Sequence, residues 1–371
     1  MNTNDVEVYF DCGTSKIRAC AFNKKNTSEC FYHESAFLPD HSNIKFEIQK
    51  IISALEGNNN KYLNNINLMI DSPKMLSIGL SVSKRVDGIK LQKQDIQFLI
   101  QDAKQQILRN YFKQNIVHIV IRNYKIDSND YEFLPTNVEC DLISLDIIFI
   151  CLPKITIEYY KKIFFELDVS VDQIFCTSYA KSISYKENFS SIKNLSFIDI
   201  GLSKTSINFF YNDKIIFSDI IPIGGNHITK DISKVLQVDL QEAENLKLLF
   251  ANNQKSLNDR KNSFSLIQEI ISARIEEILD LCIKSTRLNF DSMKPKIYKM
   301  VIAGEGSKIF NNKFRKRFNS LNNIIFHDEN HKETCHSGFK IIRGLNKQEV
   351  VIIPKKIIKV GFFERLFHLF K

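Results

Sequence analysis

"FIDIGLSKTSINFFYNDK", Phe197 to Lys214, reads as two apolar strands joined by a short turn that opens on an aspartate. The same opening stands near the N-terminus in "YFDCGTSKIRACAFN", Tyr9 to Asn23. Aligned on their aspartates, Asp11-Cys12-Gly13-Thr14-Ser15-Lys16 and Asp199-Ile200-Gly201-Leu202-Ser203-Lys204 share D-x-G-x-S-K, and an apolar stretch follows each. A single Asp-x-Gly turn is a common piece of loop chemistry. Two copies, each set between strands, point instead to an internal duplication. Chemically, such a hairpin suits nucleotide phosphates. Backbone N–H groups cradle the oxygens, Thr and Ser hydroxyls add donors, and the aspartate orients a water on Mg²⁺.

Two further stretches fit the same chemistry. "AGEGS", Gly304 to Ser307 with Gly306 between, follows the apolar run Met300 to Ala303, and glycines there let backbone approach a nucleoside closely. In "LQEAENLKLLF", Glu244 and Lys247 stand at i and i+3 on one helix face, placed either to pair with each other or to hold a ribose and adenine edge.

The chain of 371 residues exceeds what one core supports, so two domains are expected. With 44% hydrophobic and 25% charged residues it has the composition of a folded globular protein. The net charge of +9 is compatible with nucleic acid, with anionic lipid, or with lysine enrichment from AT-rich coding alone. Eight cysteines form no C-x-x-C pair and no metal-ligand spacing, which reads as small core residues in a reducing compartment. The N-terminus lacks a signal-peptide pattern and no apolar run approaches a bilayer span, so a cytosolic protein is expected.

Val6–Phe10 and Ile17–Phe22 flank the first turn as strands. Ile66–Ile70 and Met75–Val82 read as strands, and "DIQFLIQDAKQQILRNYF" carries Ile96, Leu99, Ile100, Ala103, Ile107 and Leu108 on one helical face. "LISLDIIFICL", Leu142–Leu152, is a nearly continuous apolar strand expected to be buried on both faces. Ser83 to Pro153 therefore reads as a small α/β insert. Strands and helices alternate on to the second hairpin. A Gly224-Gly225 turn, two helices, a polar loop and a strong amphipathic helix from Leu266 follow.

In this order the motifs resemble the actin and sugar-kinase superfamily of ATP-binding proteins, and within it the FtsA family of bacterial cell-division proteins. "DCGTSKIRA" at 11–19, "IPIGGNHITKDIS" at 221–233 leading to "EAENLK", "IISARIEEIL" at 270–279, the insert and the C-terminal tail carry the resemblance. It implies an actin-like two-domain α/β fold, a duplicated ribonuclease-H-like core, with an inserted small α/β subdomain and a C-terminal amphipathic helix. The implied divisions are 1–82 and 154–192 (subdomain 1A), 83–153 (1C), 193–240 and 297–330 (2A), and 241–296 (2B). A helix at 331–346 returns to 1A, a linker covers 347–359, and the amphipathic helix covers 360–371.

The resemblance also implies ATP or ADP with Mg²⁺. Asp11 and Asp199 would hold the metal through water. Gly13, Thr14, Ser15, Lys16, Gly201 and Ser203 would hold the phosphates, Gly224, Gly225, Glu244 and Lys247 the nucleoside side, and Gly304, Gly306 and Ser307 the adenine. In "VGFFERLFHLFK", Phe362, Phe363, Leu366, Phe367, Leu369 and Phe370 line one helical face, with lysines 355, 356 and 359 upstream, suited to an anionic membrane surface. The alternative for this helix is docking on its own protein. Implied partners are the C-terminal peptide of FtsZ, further copies of the chain in a filament, and other division proteins through the insert, with no nucleic acid among them. The implied location is the cytoplasmic face of the membrane at the division site.

The chain departs from the family pattern at the second hairpin. Leu202 and Ser203 stand at glycine positions, Lys204 at the first threonine and Ser206 at the acid, which puts hydrolysis in question. The segment between Lys247 and Leu266 is short, where the family receives FtsZ. The rival readings are a small-molecule kinase of the superfamily, for which no substrate-side aspartate stands out, and an actin-like pilus or secretion assembly factor.

Overall fold

The structure is a computed structural model that describes residues 6–24, 29–36, 44–59, 62–135, 138–252, 261–288, 298–311, 315, 323–330 and 332–343. Around the first hairpin lie β1 (Val6–Cys12), β2 (Lys16–Asn23), β3 (Cys30–Ala36), β4 (Asn65–Ile70) and β9 (Ser170–Cys176), in the order β3-β2-β1-β4-β9. Around the second lie β10 (Leu195–Ile200), β11 (Thr205–Tyr211), β12 (Lys214–Ile221), β13 (Lys299–Ala303) and β14 (Ile324–Phe326), in the order β12-β11-β10-β13-β14. In both sheets the first three strands are antiparallel and the last two join in parallel. The repeat seen in two aspartates is thus the repeat of a whole sheet plan, and the expected actin-like fold is the one observed.

Apolar composition explains the central strands. β1 and β10 are buried along nearly their full length because helices cover their sheets. α1 (Ile44–Asn59), α3 (Lys154–Phe165) and α4 (Thr177–Lys186) belong to the first half, and α5 (Gly225–Leu236), α6 (Leu240–Ala251) and α7 (Lys261–Leu288) to the second. α8 (Glu333–Ile342) returns to the first sheet, where Phe339 stacks on Phe22 with ring centroids 4.6 Å apart. A Cβ at Gly338 would come within 2.6 Å of Met69 Sδ and 2.9 Å of Tyr9, so only glycine lets α8 lie this close.

The insert is an antiparallel sheet, β5-β8-β6-β7, made of β5 (Leu76–Lys90), β6 (Gln114–Ile126), β7 (Asn129–Tyr131) and β8 (Glu139–Pro153), with α2 (Lys93–Asn110) on one face. β5 passes through Ser83 without a break. Asp87-Gly88, which resembles a turn in sequence, is taken up at positive φ in a bulge against β8. β8 serves two cores. Ile143, Leu145, Ile147 and Phe149 face the insert's own core, and Ile148, Ile150 and Leu152 join that of the first sheet, so the strand is buried on both faces from Ile147 to Leu152, while Leu142, expected buried, is exposed. The predicted tail helix, with Phe362, Phe363, Leu366, Phe367, Leu369 and Phe370, lies outside the described residues.

Candidate functional site

The two hairpins close identically. Gly13 N–H donates to the Lys16 carbonyl at 3.0 Å, and Gly201 N–H to the Lys204 carbonyl at 2.9 Å. Their tips face each other, with the Ser203 hydroxyl donating to Thr14 Oγ1 at 3.2 Å. Between them lies a cleft of about 80 Å³ that includes Asp11, Thr14, Asp199 and Gly201 in its lining.

The cleft is crowded with charge. Asp11 sits opposite Arg18 in the β1–β2 register, and Arg18 Nη1 lies 3.0 Å from Asp11 Oδ2. Thr177, at the start of α4, donates to Asp11 Oδ1 at 3.0 Å. Burial raises the Asp11 carboxyl from its usual value despite both partners. In the second hairpin the position opposite Asp199 is Ser206, so its counter-charge comes from elsewhere. Lys181 of α4 reaches Asp199 at 2.7 Å and Glu329 at 2.7 Å. Burial works against the Lys181 ammonium, but the two carboxylates outweigh it and hold the group well above its ordinary value. Asp71, just past β4, accepts from the Ser178 N–H at 3.0 Å and lies 3.5 Å from Lys204 of the second turn. Burial opposes its ionisation, yet Lys204 and Ser178 keep its carboxyl below the usual range. Glu305 meets Arg18 at 3.5 Å and Lys16 at 3.7 Å.

Beside the cleft a larger cavity, about 200 Å³, is lined among others by Ser15, Lys16, Gly225, Glu244 and Gly306. Glu244 and Lys247 pair at 2.6 Å, as their spacing allows. Lys247 also donates to Thr229 Oγ1 at 2.8 Å and to the Gly225 carbonyl at 3.3 Å, so its ammonium is committed to tying α6 to α5. Glu244, the more exposed partner, is left at the cavity wall.

Four expected residues line neither space. Ser203 reaches across to Thr14, and Ser307 donates its hydroxyl to the Gly304 carbonyl at 2.7 Å, within the turn. Gly224 and Gly304 press on the second hairpin. A Cβ on Gly224 would stand 2.5 Å from the Gly201 carbonyl, and one on Gly304, at φ 93°, would meet the Ile200 carbonyl at 2.5 Å. Their smallness serves packing against the backbone of Ile200 and Gly201 and, at Gly304, against the Asp199 carboxylate. Gly306 does both, lining the cavity and lying where a Cβ would be 2.8 Å from the Ile200 carbonyl.

Sequence reasoning missed Arg18, Asp71, Thr177, Lys181 and Glu329. Hairpin register would have placed Arg18 against Asp11, and Asp71 ends an apolar strand as a cleft residue does. Lys181 is a lone charge within the helix "TSYAKSISY", all of it buried. Glu329, in a polar run, carries no signal.

The two aspartates expected to hold the metal through water are engaged by the chain itself, Asp11 through both oxygens by Arg18 and Thr177 and Asp199 by the Lys181 ammonium. Among the described residues no three His, Cys, Asp or Glu side chains gather as a metal site.

The FtsA family model, described as cell division protein FtsA, matches residues 196–321, which hold the second hairpin, α5, α6 and the Gly304 turn. The chain is 22% identical over 256 residues to the cell division protein FtsA of Agrobacterium fabrum, covering 64% of this chain and 57% of that protein. It is 25% identical over 316 residues to the FtsA of Buchnera aphidicola from Acyrthosiphon pisum, covering 75% and 73%. Among solved structures it resembles the PilM-PilN type IV pilus biogenesis complex, with a TM-score of 0.62 and 11% identity over 88% of this chain and 89% of that one. That last likeness is one of fold. The resemblance to the FtsA family read from the motifs holds.

Proposed function

We propose that this chain, a relative of the FtsA cell division proteins, is a nucleotide-binding actin-like protein that assembles with its own copies and tethers the FtsZ ring to the cytoplasmic membrane. The observation that carries the nucleotide part is the pair of matching turns, Gly13–Lys16 and Gly201–Lys204, opposed across a cleft that opens beside a nucleoside-sized wall of Gly225, Glu244 and Gly306. Phosphates enter between the turns and ATP or ADP places its nucleoside beside α5 and α6. The family model's coverage of this half supports that placement. The FtsZ C-terminal peptide, later division proteins at the insert and an anionic membrane at residues 360–371 are the partners of this reading. Weak membrane helices on many copies of a filament would add up by avidity.

The test is a titration of the full-length chain with fluorescent ATP and ADP, against Gly225→Leu. A Cβ at Gly225 has its nearest neighbour 3.7 Å away, so a side chain can branch from this cavity-lining position without a backbone clash at its Cβ. The wild type binds and the variant weakens by about tenfold or more at unchanged melting temperature. A wild type that binds neither nucleotide overturns the ligand. For the tail, vesicle flotation compares the full chain with one ending at Lys359; equal partition of both into lipid overturns that part.

A further inference from the structure

We propose that the Lys181 ammonium, seated between Asp199 and Glu329, takes the place of a divalent cation in the cleft, so that a nucleotide is bound there without magnesium. The inference rests on the nucleotide reading above and concerns the same site.

Three aspartates, Asp11, Asp71 and Asp199, line the cleft. Each is answered by a basic group tethered to the chain: Arg18, Lys204 and Lys181. The pairs differ in tightness. Lys181 lies 2.7 Å from both of its carboxylates and is 5% exposed. Such a group stays where it is, since leaving would strand two buried acids. Arg18 is likewise fixed, at 3.0 Å from buried Asp11. Lys204 at 3.5 Å from Asp71 and Lys16 at 3.7 Å from Glu305 are more loosely held. Incoming phosphate oxygens draw these two away from their carboxylates, as charge-assisted contacts to phosphate form. The fixed Lys181 ammonium and the two exchangeable ones stand in for the charge of a metal.

Magnesium demands octahedral ligands and keeps several of its waters. A divalent ion in the cleft would also sit within a few ångströms of a fixed positive charge that the surroundings keep protonated.

The experiment uses the full chain and fluorescent ATP and ADP in buffer with either magnesium or EDTA. The wild type is expected to bind with dissociation constants equal within about twofold in the two buffers. Binding that weakens about tenfold or more in EDTA overturns the inference and leaves the nucleotide reading intact, whereas no binding in either buffer overturns both. Lys181→Met keeps the chain's length in the helix but bares Asp199 and Glu329. It is expected to gain magnesium dependence, with binding about tenfold tighter in magnesium than in EDTA and a melting temperature raised by magnesium alone. A folded variant as indifferent to magnesium as the wild type overturns the proposal. If it does not fold, the wild-type comparison still decides.

Discussion

At the first hairpin Asp11 faces Arg18 across its own pair of strands, whereas at the second Asp199 faces Ser206, a buried hydroxyl with no hydrogen-bond partner among the described residues. The backbone turns are the same to within 0.1 Å in their closing hydrogen bonds, at 3.0 and 2.9 Å. One hairpin therefore carries its own counter-charge and the other borrows from the first half of the molecule through Lys181, giving Lys204 to Asp71 in return. A duplicated backbone does not entail duplicated electrostatics. Where the cross-strand cation is lost, the balance moves into contacts between the halves, and these hold the cleft together.

The sharpest way to break the comparison is Lys181→Met. It leaves Asp199 and Glu329, whose side chains are 14% and 12% exposed, without their cation, and removing one member of a buried pair costs about 3–5 kcal/mol. Urea unfolding of the variant should lose stability on that scale. A loss below about 1 kcal/mol, typical of surface pairs, would mean that the second hairpin does not depend on the borrowed charge.

A smaller effect separates the hairpins by packing. Around the second, Gly306 lies where a Cβ would meet the Ile200 carbonyl at 2.8 Å and the Gly201 carbonyl at 2.9 Å. Gly306→Ala must shift backbone and should cost about 1–3 kcal/mol by denaturant melting. Gly57→Ala, at an α1 position where a Cβ meets nothing within 4 Å, is the control and should leave stability unchanged or raise it slightly.

Acid titration probes two of the cleft aspartates in opposite senses. Asp71 has its folded carboxyl held below the unfolded value, so its stabilisation is present above about pH 4 and is lost as pH falls through the lower folded value. Asp11 has its carboxyl raised, so its contribution is present below about pH 4 and is lost as pH rises through the folded value. Urea midpoints of wild type and Asp71→Asn, taken from pH 7 to pH 3, should therefore converge toward the acid end. Curves that stay parallel would place the Asp71 contribution in packing rather than charge.

What could be read in advance follows from where the determinants lie along the chain. Both turns, the strands beside them and the Glu244–Lys247 pair are local, set by neighbours within a few residues, and all appear as read. The edge strand β3, half-exposed and mixed in composition, has no apolar run to reveal it. Lys181, Asp199 and Glu329 meet only because α4 of the first half packs beside the second sheet, and no periodicity encodes that meeting. Gly224 and Gly304 show a different limit. A glycine required by close approach reads the same in sequence whether the approaching group is a ligand or, as here, the backbone of Ile200 and Gly201.

The smallest effect concerns a direct bond between the tips. The Ser203 hydroxyl donates to Thr14 Oγ1 at 3.2 Å, while the ion pairs at the base of the cleft join the same two halves. If the charges carry the closure, Ser203→Ala removes one neutral hydrogen bond worth about 0.5–1.5 kcal/mol and leaves the cleft as it is. Hydrogen exchange should then show the amides of Gly13 and Gly201, each bonded within its own turn, protected as in the wild type. Lys181→Met, by contrast, should speed exchange at Gly201 more than at Gly13, because only the second aspartate loses its partner. Equal acceleration at both turns would mean that the tips, and not the borrowed lysine, join the two copies of the motif.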